Sequence, residues 1–324
     1  MTRISVVIPN YNGRNILPAC LDAILRQTRP PDEIIVVDDA STDDSPALVR
    51  QKYPKVDLVS MPVNGGFCQA ANAGLRKATG DWLALLNNDT EVHPNWLAEL
   101  VATLETYPDI SFCTSKILFH DRRNIVNSAG LFMRVDGVGR DIGYGRPDGP
   151  EFAITREVFG ASGGAAIYSR AMLEDIGLFD EDLVAYGEDL DLSFRAQLRG
   201  YRCLYVPTAV VYHYGGATYK RNSATAVYYG SRNMLVVILK NMPMALLHRY
   251  WPRMLAAQLY QVIYFTFKGL GWAALRGKKD ALKRLRMILA KRKEIMQARR
   301  VSDDYIDSLL QRGLQNSIHF LKIS

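Results

Sequence analysis

Trp82-Leu83-Ala84-Leu85-Leu86-Asn87-Asn88-Asp89 is a short apolar run that stops abruptly in two amides and a carboxylate. The turn pair Gly80-Asp81 precedes it. A run of this length between turn residues predicts a strand buried on both faces. Open α/β sheets place ligands beyond the C-terminal ends of their strands. Asp89 is therefore expected as a hard oxygen ligand for a divalent cation, with phosphate oxygens completing the shell. Asn88-Asp89-Thr90 also suits a plain turn with no chemistry. The rest of the chain has to separate these two readings.

The segments before this strand repeat its design. Ile4-Ser5-Val6-Val7-Ile8-Pro9 and Glu33-Ile34-Ile35-Val36-Val37 read as buried strands, and residues 56–60 as a third. Between them, apolar residues at Ile16, Leu17, Cys20, Leu21, Ile24 and Leu25 mark a helix over 15–27. Ser41 to Pro46 supplies N-cap candidates and a proline for the start of a second helix. After the turn Asn64-Gly65-Gly66, residues 67–78 read as an alanine-rich third helix. Near-continuous apolar strands alternating with helices predict a mostly parallel sheet covered on both faces. No G-x-G-x-x-G follows the first strand, so the usual dinucleotide fingerprint is absent. The strand ends carry Asn10, Tyr11, Asp38, Asp39, Asn64 and Asp89 instead. A carboxylate after strand two can accept from a ribose hydroxyl or a base N–H, and an aromatic after strand one can stack on a base. Helix capping is the alternative use for Asp38 and Asp39.

Pro9-Asn10-Tyr11-Asn12, Val37-Asp38-Asp39-Ala40-Ser41-Thr42-Asp43, Asn64-Gly65-Gly66 with Ala71-Asn72, and Asn87-Asn88-Asp89 occur in that order. Together they resemble the family 2 glycosyltransferases of the GT-A fold, over about the first 220 residues. Within that family the closest likeness is to bacterial rhamnosyltransferases of cell-surface polysaccharide assembly. The resemblance implies a nucleotide-sugar held by Pro9, Tyr11, Asp38, Asp39, Asn64, Asn88, Asp89 and Gly164. Tyr11 and Asp39 would meet its base and ribose, and Asp89 the Mg2+ or Mn2+ on its diphosphate. The family's metal motif usually has a carboxylate at both ends. Here Asn87 takes the first position, and an amide oxygen ligates without charge.

Beyond the central stretch, Trp96, Leu97, Leu100, Val101 and Leu104 mark an amphipathic helix over 95–107, and residues 112–119 read as a strand. From His120 to Glu151 the pattern dissolves into Gly, Arg and Asp, which predicts a long loop. Such a loop is either an acceptor contact or lid, or a plain insertion. Small residues over 160–166 enter a strand; small side chains allow close approach to a ligand or close helix–sheet packing. Leu190, Phe194 and Leu198 recur every four positions, so a helix begins near Glu188 with Glu188, Asp189 and Asp191 in its first turn. Acids are favourable there through the helix dipole. Clustering three of them also raises mutual repulsion, which suits a proton acceptor. The resemblance assigns the catalytic base to Asp189 and places the acceptor hydroxyl with Glu188. Residues 201–206 and 210–212 read as strands, ending at His213 beside glycines. By resemblance, His213 would be a second metal ligand.

The net charge of +7 hides a split: residues 1–219 carry 20 Lys+Arg against 28 Asp+Glu, and residues 220–324 carry 20 against 5. This predicts an acidic catalytic domain over 1–220, in which the resemblance implies a nucleotide-sugar half to about 110 and an acceptor half beyond it. A basic helical extension follows over 221–324. Residues 254–272 are apolar and aromatic, but Lys268 interrupts them, which argues against a spanning helix. Trp251, Tyr260, Tyr264 and Trp272 followed by a polybasic run read as an interfacial anchor on anionic lipid. Packing against the catalytic domain is the alternative. No nucleic-acid-binding signature is present. The four separated cysteines predict free core thiols, and the short apolar run after Met1 predicts no signal peptide. A cytoplasmic enzyme, peripheral on the inner face of the plasma membrane, is expected. Its reaction would be inverting transfer of a sugar, rhamnose first, to a glycan or polyprenyl-linked glycan. A catalytically silent nucleotide-sugar-binding protein, or a glycoside hydrolase, is the competing function.

Overall fold

The computed structural model describes residues 2–215 and 223–313. The domain boundary expected near 220, and Gly216, lie outside the described residues. The first half alternates as its periodicity predicts. Strands β1 (Ile4–Asn10), β2 (Glu33–Asp38), β3 (Asp57–Ser60) and β4 (Trp82–Leu86) are linked by helices α1 (Leu17–Leu25), α2 (Ser45–Lys52) and α3 (Phe67–Lys77). A short strand β5 (Thr90–Val92) leads into α4 (Trp96–Thr106) and the long strand β6 (Ile110–Phe119).

The region read as one long loop contains β7 (Val126–Ser128), β8 (Leu131–Met133) and β9 (Gly139–Asp141), and β10 (Arg156–Val158) follows it. Val126, Ala129, Leu131, Met133 and Ile142 there are buried, so this segment is part of the packed body. Then come β11 (Ala165–Ser169), α5 (Arg170–Ile176), α6 (Glu188–Leu198) and β12 (Arg202–His213). The two strands expected at 201–212 are one strand, with a register shift between Val206 and Val210. Five further helices complete the chain: α7 (Ala224–Asn241), α8 (Met244–Phe267), α9 (Gly271–Lys283), α10 (Leu285–Ala298) and α11 (Asp303–Leu309).

The main sheet runs β10-β12-β6-β11-β4-β1-β2-β3. β1 pairs parallel with β2 and β4, and β2 with β3. β11 is antiparallel to both β4 and β6, while β6 and β12 are parallel. All the long strands except β11 therefore point one way, and their C-terminal ends share a rim. Alternate residues fill opposite faces. Ile4, Val6 and Ile8 pack with α1 and α4, whereas Val7, Ile35 and Val37 pack with α3. A third cluster joins Leu190, Phe194 and Leu198 of α6 to Val237, Ile238, Leu246, Met254 and Ile306 of the C-terminal helices. All four cysteines are buried and free.

Candidate active site

The strand ends open into one cleft of about 730 Å³. Pro9, Tyr11, Asp39, Asn64, Asn88, Asp89, Gly164, Glu188, Asp189 and His213 all line it. Asp38 is the one expected nucleotide-sugar residue that does not. Its oxygens accept from Asn10 Nδ2 at 3.2 Å and from the Ser41 N–H at 3.1 Å, which shapes the loop after β1. This is a loop-shaping role and not the helix cap expected as its alternative, since α2 begins only at Ser45. Asn10 also accepts from Asn88 Nδ2 at 2.8 Å, so the β1 and β4 ends are tied together.

Asp39 is buried, and each of its oxygens accepts one backbone N–H of the glycine turn, Gly65 at 2.7 Å and Gly66 at 2.9 Å. Burial raises its pKa, and those two N–H groups pull it back. Gly66 has φ 82°, and a Cβ there would meet Val184 Cγ1 at 2.7 Å. The turn needs glycine both for its left-handed conformation and for this close approach. It thereby couples the nucleotide half of the cleft to the loop before α6.

Asp89 and His213 meet because β5 pairs antiparallel with β12, setting Thr90 opposite His213. His213 Nε2 lies 3.1 Å from Asp89 Oδ1, and its Nδ1 lies 3.2 Å from Asn127 Oδ1. One imidazole nitrogen and one carboxylate thus converge on a single point of the cleft. This pair suits a divalent cation whose remaining positions are filled by phosphate oxygens. Among the described residues there is no group of three or more His, Cys, Asp or Glu able to hold a metal.

On the other wall, Asp189 Oδ1 accepts from the Leu190 N–H at 2.7 Å and Oδ2 from the Gly163 N–H at 3.1 Å. Burial, then the nearby Asp141, pushes its carboxyl upward against those two bonds. Glu188 is pushed up by burial and then by Asp189. Its Oε2 is buried without a hydrogen-bond partner among the described residues. Two adjacent carboxyls, one buried and one at the cleft wall, cannot both ionise cheaply, so the pair keeps a proton to higher pH than free acids do.

Several contributors were not expected. Asp141 enters the cleft because β9 lies on the first turn of α6; a Cβ on Gly139 would meet Leu190 Cδ2 at 2.2 Å. Nothing in the period of a three-residue strand announces that. Asn233 of α7 donates to the carbonyls of Leu183, Ala185 and Tyr186 at 2.7–2.8 Å. It braces a loop in which Val184 and Tyr186 have φ of 66° and 68°. Positive φ at a β-branched residue is strained, and strain of this kind persists only where surrounding contacts impose it.

A model of the family described as glycosyl transferase family 2 matches residues 5–177, more than half of the chain. O-antigen biosynthesis protein RfbC of Myxococcus xanthus is 27% identical over 67% of this chain, which spans only 18% of that protein. Succinoglycan biosynthesis protein ExoO of Rhizobium meliloti is 27% identical over 65% of this chain and 60% of its own length. Among solved structures, GalNAc-T7 with UDP, GalNAc and Mn2+ gives a TM-score of 0.60 at 21% identity, over 74% of this chain and 48% of that one. Mannosyltransferase PcManGT from Pyrobaculum calidifontis, in complex with GDP-Man and Mn2+, gives 0.55 at 21% identity over 94% and 82%. Those two likenesses establish the GT-A fold, and the family match over residues 5–177 shows that the chain belongs to glycosyl transferase family 2.

Proposed function

We propose that this enzyme transfers a sugar with inversion from a nucleotide-diphosphate donor to a glycan acceptor in cell-surface polysaccharide assembly. One observation carries the reading. The Asp189 carboxylate opens into the same cleft as Tyr11, Asp39, Asn64 and Asp89. Tyr11 and Asp39 hold the base and ribose, and Asn64, Asn88 and Gly164 border the diphosphate and sugar. Asp189 takes the proton of an acceptor hydroxyl as that oxygen attacks the anomeric carbon, and the nucleoside diphosphate leaves from the opposite face. Glu188, protonated over a wider pH range than a free carboxyl, is placed to donate a hydrogen bond to a sugar hydroxyl. Asp89 and His213 would hold Mg2+ or Mn2+, which supplies Lewis-acid stabilisation of charge on the leaving diphosphate.

The polysaccharide role is supported by the O-antigen and succinoglycan relatives. Rhamnose, from dTDP-rhamnose, is the donor sugar we favour, on the likeness of the strand-end motifs to rhamnosyltransferases. The acceptor we favour is a polyprenyl-linked glycan, met at the inner face of the plasma membrane by a catalytic domain over 1–220 and a helical extension over 221–324. The test is a panel of nucleotide-sugars with Mg2+ or Mn2+, read first by thermal shift. A donor that binds the native state raises Tm by mass action. Asp189→Asn should keep that shift and lose turnover by roughly 100- to 10,000-fold, the usual share of a general base. A variant that turns over as fast as wild type overturns the assignment.

A further inference from the structure

The C-terminal helices divide their side chains between two tasks. The buried side of α8 uses Leu246, Tyr250 and Met254 against the body. A second side meets α9, where Lys278 Nζ is held by Gln258 and Gln261. What is left is an outward face on which Trp251, Leu255, Leu259, Ile263 and Phe267 recur every four residues, each at least half exposed and Phe267 88% exposed. At 1.5 Å per residue this stripe is about 24 Å long. Tyr260 and Tyr264 widen it with stacked rings 6.3 Å apart, and Trp272 extends it onto α9 at 75% exposure. Soluble surfaces rarely carry an apolar patch this continuous without a partner.

The charges beside it select the partner. Between Met244 and Ala298 the only acids are Asp280 and Glu294. Asp280 already accepts from Tyr228 Oη and Lys283 Nζ. Arg253, Lys268, Arg276, Lys279, Lys283 and Arg286 are exposed, and Lys268 Nζ lies 6.0 Å from the centre of the Tyr264 ring. Part of the basic run is not available: Lys291 is bonded to Asp180 and Asp182, and Arg292 donates to the carbonyls of Leu239 and Met242. A second copy of the same face would set like charge against like charge, whereas an anionic lipid surface neutralises it. The aromatic rings, apolar in body and polar at the tip, suit the headgroup boundary. No helix among the described residues is long and apolar enough to cross a membrane.

We infer that the outward face of α8 and the start of α9 is a docking surface for an anionic bilayer, lying flat in the headgroup layer. It sits one helix from the chemistry. α7 lines the cleft with Gly230 and Met234, and packs on α9 where Gly277 approaches the Tyr228 carbonyl. The surface would therefore hold the cleft beside a lipid-borne acceptor, a consequence that rests on the proposed reading of that acceptor.

The experiment is flotation of the full chain with vesicles of phosphatidylcholine plus phosphatidylglycerol and with phosphatidylcholine alone. It is repeated for the double variant Leu259→Glu/Phe267→Glu, whose Tm and vesicle-free donor turnover are measured alongside. Both residues are exposed, so the variant should fold and turn over donor as wild type does. Wild type should float with the anionic vesicles, about tenfold less with neutral ones, and less at high salt. The variant should lose at least about tenfold in anionic-vesicle binding. Equal flotation of wild type and variant overturns the docking surface, as does wild type that never floats. So does a wild-type dimer that the variant dissolves with no vesicle binding in either. Failure of the glycosyltransfer reading shows separately, as absent donor turnover in a protein that still floats.

Discussion

At the scale of single residues, the catalytic wall sets activity against stability. Glu188 and Asp189 have carboxyls raised first by burial, and then by Asp189 for Glu188 and by Asp141 for Asp189. A native state that holds a proton more tightly than the unfolded chain has its full stability below the unfolded pKa. It loses stability as pH rises through the folded one. A base works only when ionised, so turnover should rise over the same window in which stability falls. The acid limb of kcat is expected above the ordinary carboxylate range, which lies at about 3.9–4.3. In Asp189→Asn the loss of Tm between acidic and neutral pH should be smaller than in wild type, because Glu188 then ionises without the charge of Asp189 beside it. A kcat limb inside the ordinary range, or identical Tm profiles, would contradict this account. The wall was only partly legible in the sequence. Three acids opening a helix pointed to it, but Asp141 could not be paired with Asp189 from 48 residues away by any period or motif.

At the scale of elements, the loop before α6 is held by α7. Asn233 spreads two N–H donors over three carbonyls, and Arg232 donates to the carbonyls of Asp182 and Leu183. Asn233→Ala should cost about 2 kcal/mol of stability, since buried carbonyls lose their donor. It should also lower kcat about tenfold, with a smaller rise in donor KM passed on through the Val184–Gly66 contact, because Asn233 acts through the loop leading into Glu188 and Asp189. A rise in donor KM with kcat intact would place Asn233 on the wrong side of the cleft. This bracing explains where sequence reading succeeded. β1, β2 and β4 are buried on both faces, so their apolar runs are continuous and readable. β7, β8 and β9 have three residues each, too few for a period to show, and Gly137, Gly143 and Gly145 at positive φ punctuate them like a loop. The shift within β12 divides its pattern in two, which is why one strand reads as a pair.

At the scale of the whole molecule, the charge split is partly an internal contact. Lys240, at 1% exposure, bridges Asp180 and Asp191, and Asp191 also accepts from Arg195 Nε at 3.0 Å and Asn241 Nδ2 at 2.7 Å. Lys291 of α10 adds a second cation to Asp180. The acidic half and the basic helices thus neutralise each other at the base of α6, two residues beyond Asp189, while Arg253, Lys268 and Lys279 stay exposed. Burial alone would raise the Asp180 and Asp191 carboxyls, but their cations overcome it and hold both below the ordinary range. The sign then runs opposite to that of the catalytic pair. This stability is complete above the unfolded carboxylate pKa and is lost as pH falls through the lowered folded values. Lys240→Met keeps the length of the side chain but removes the bridging charge, leaving two buried acids with Arg195 and Lys291 alone. At neutral pH the cost should be about 3 kcal/mol, as for other buried pairs broken from one side. As pH drops below the ordinary carboxylate range, wild type protonates its lowered acids and forfeits the bridge, so the gap in Tm between wild type and variant should close. A gap that stays constant from neutral to strongly acidic pH would mean that Lys240 contributes through packing alone, and that the helices adhere to the catalytic half by their apolar cluster without the help of this charge.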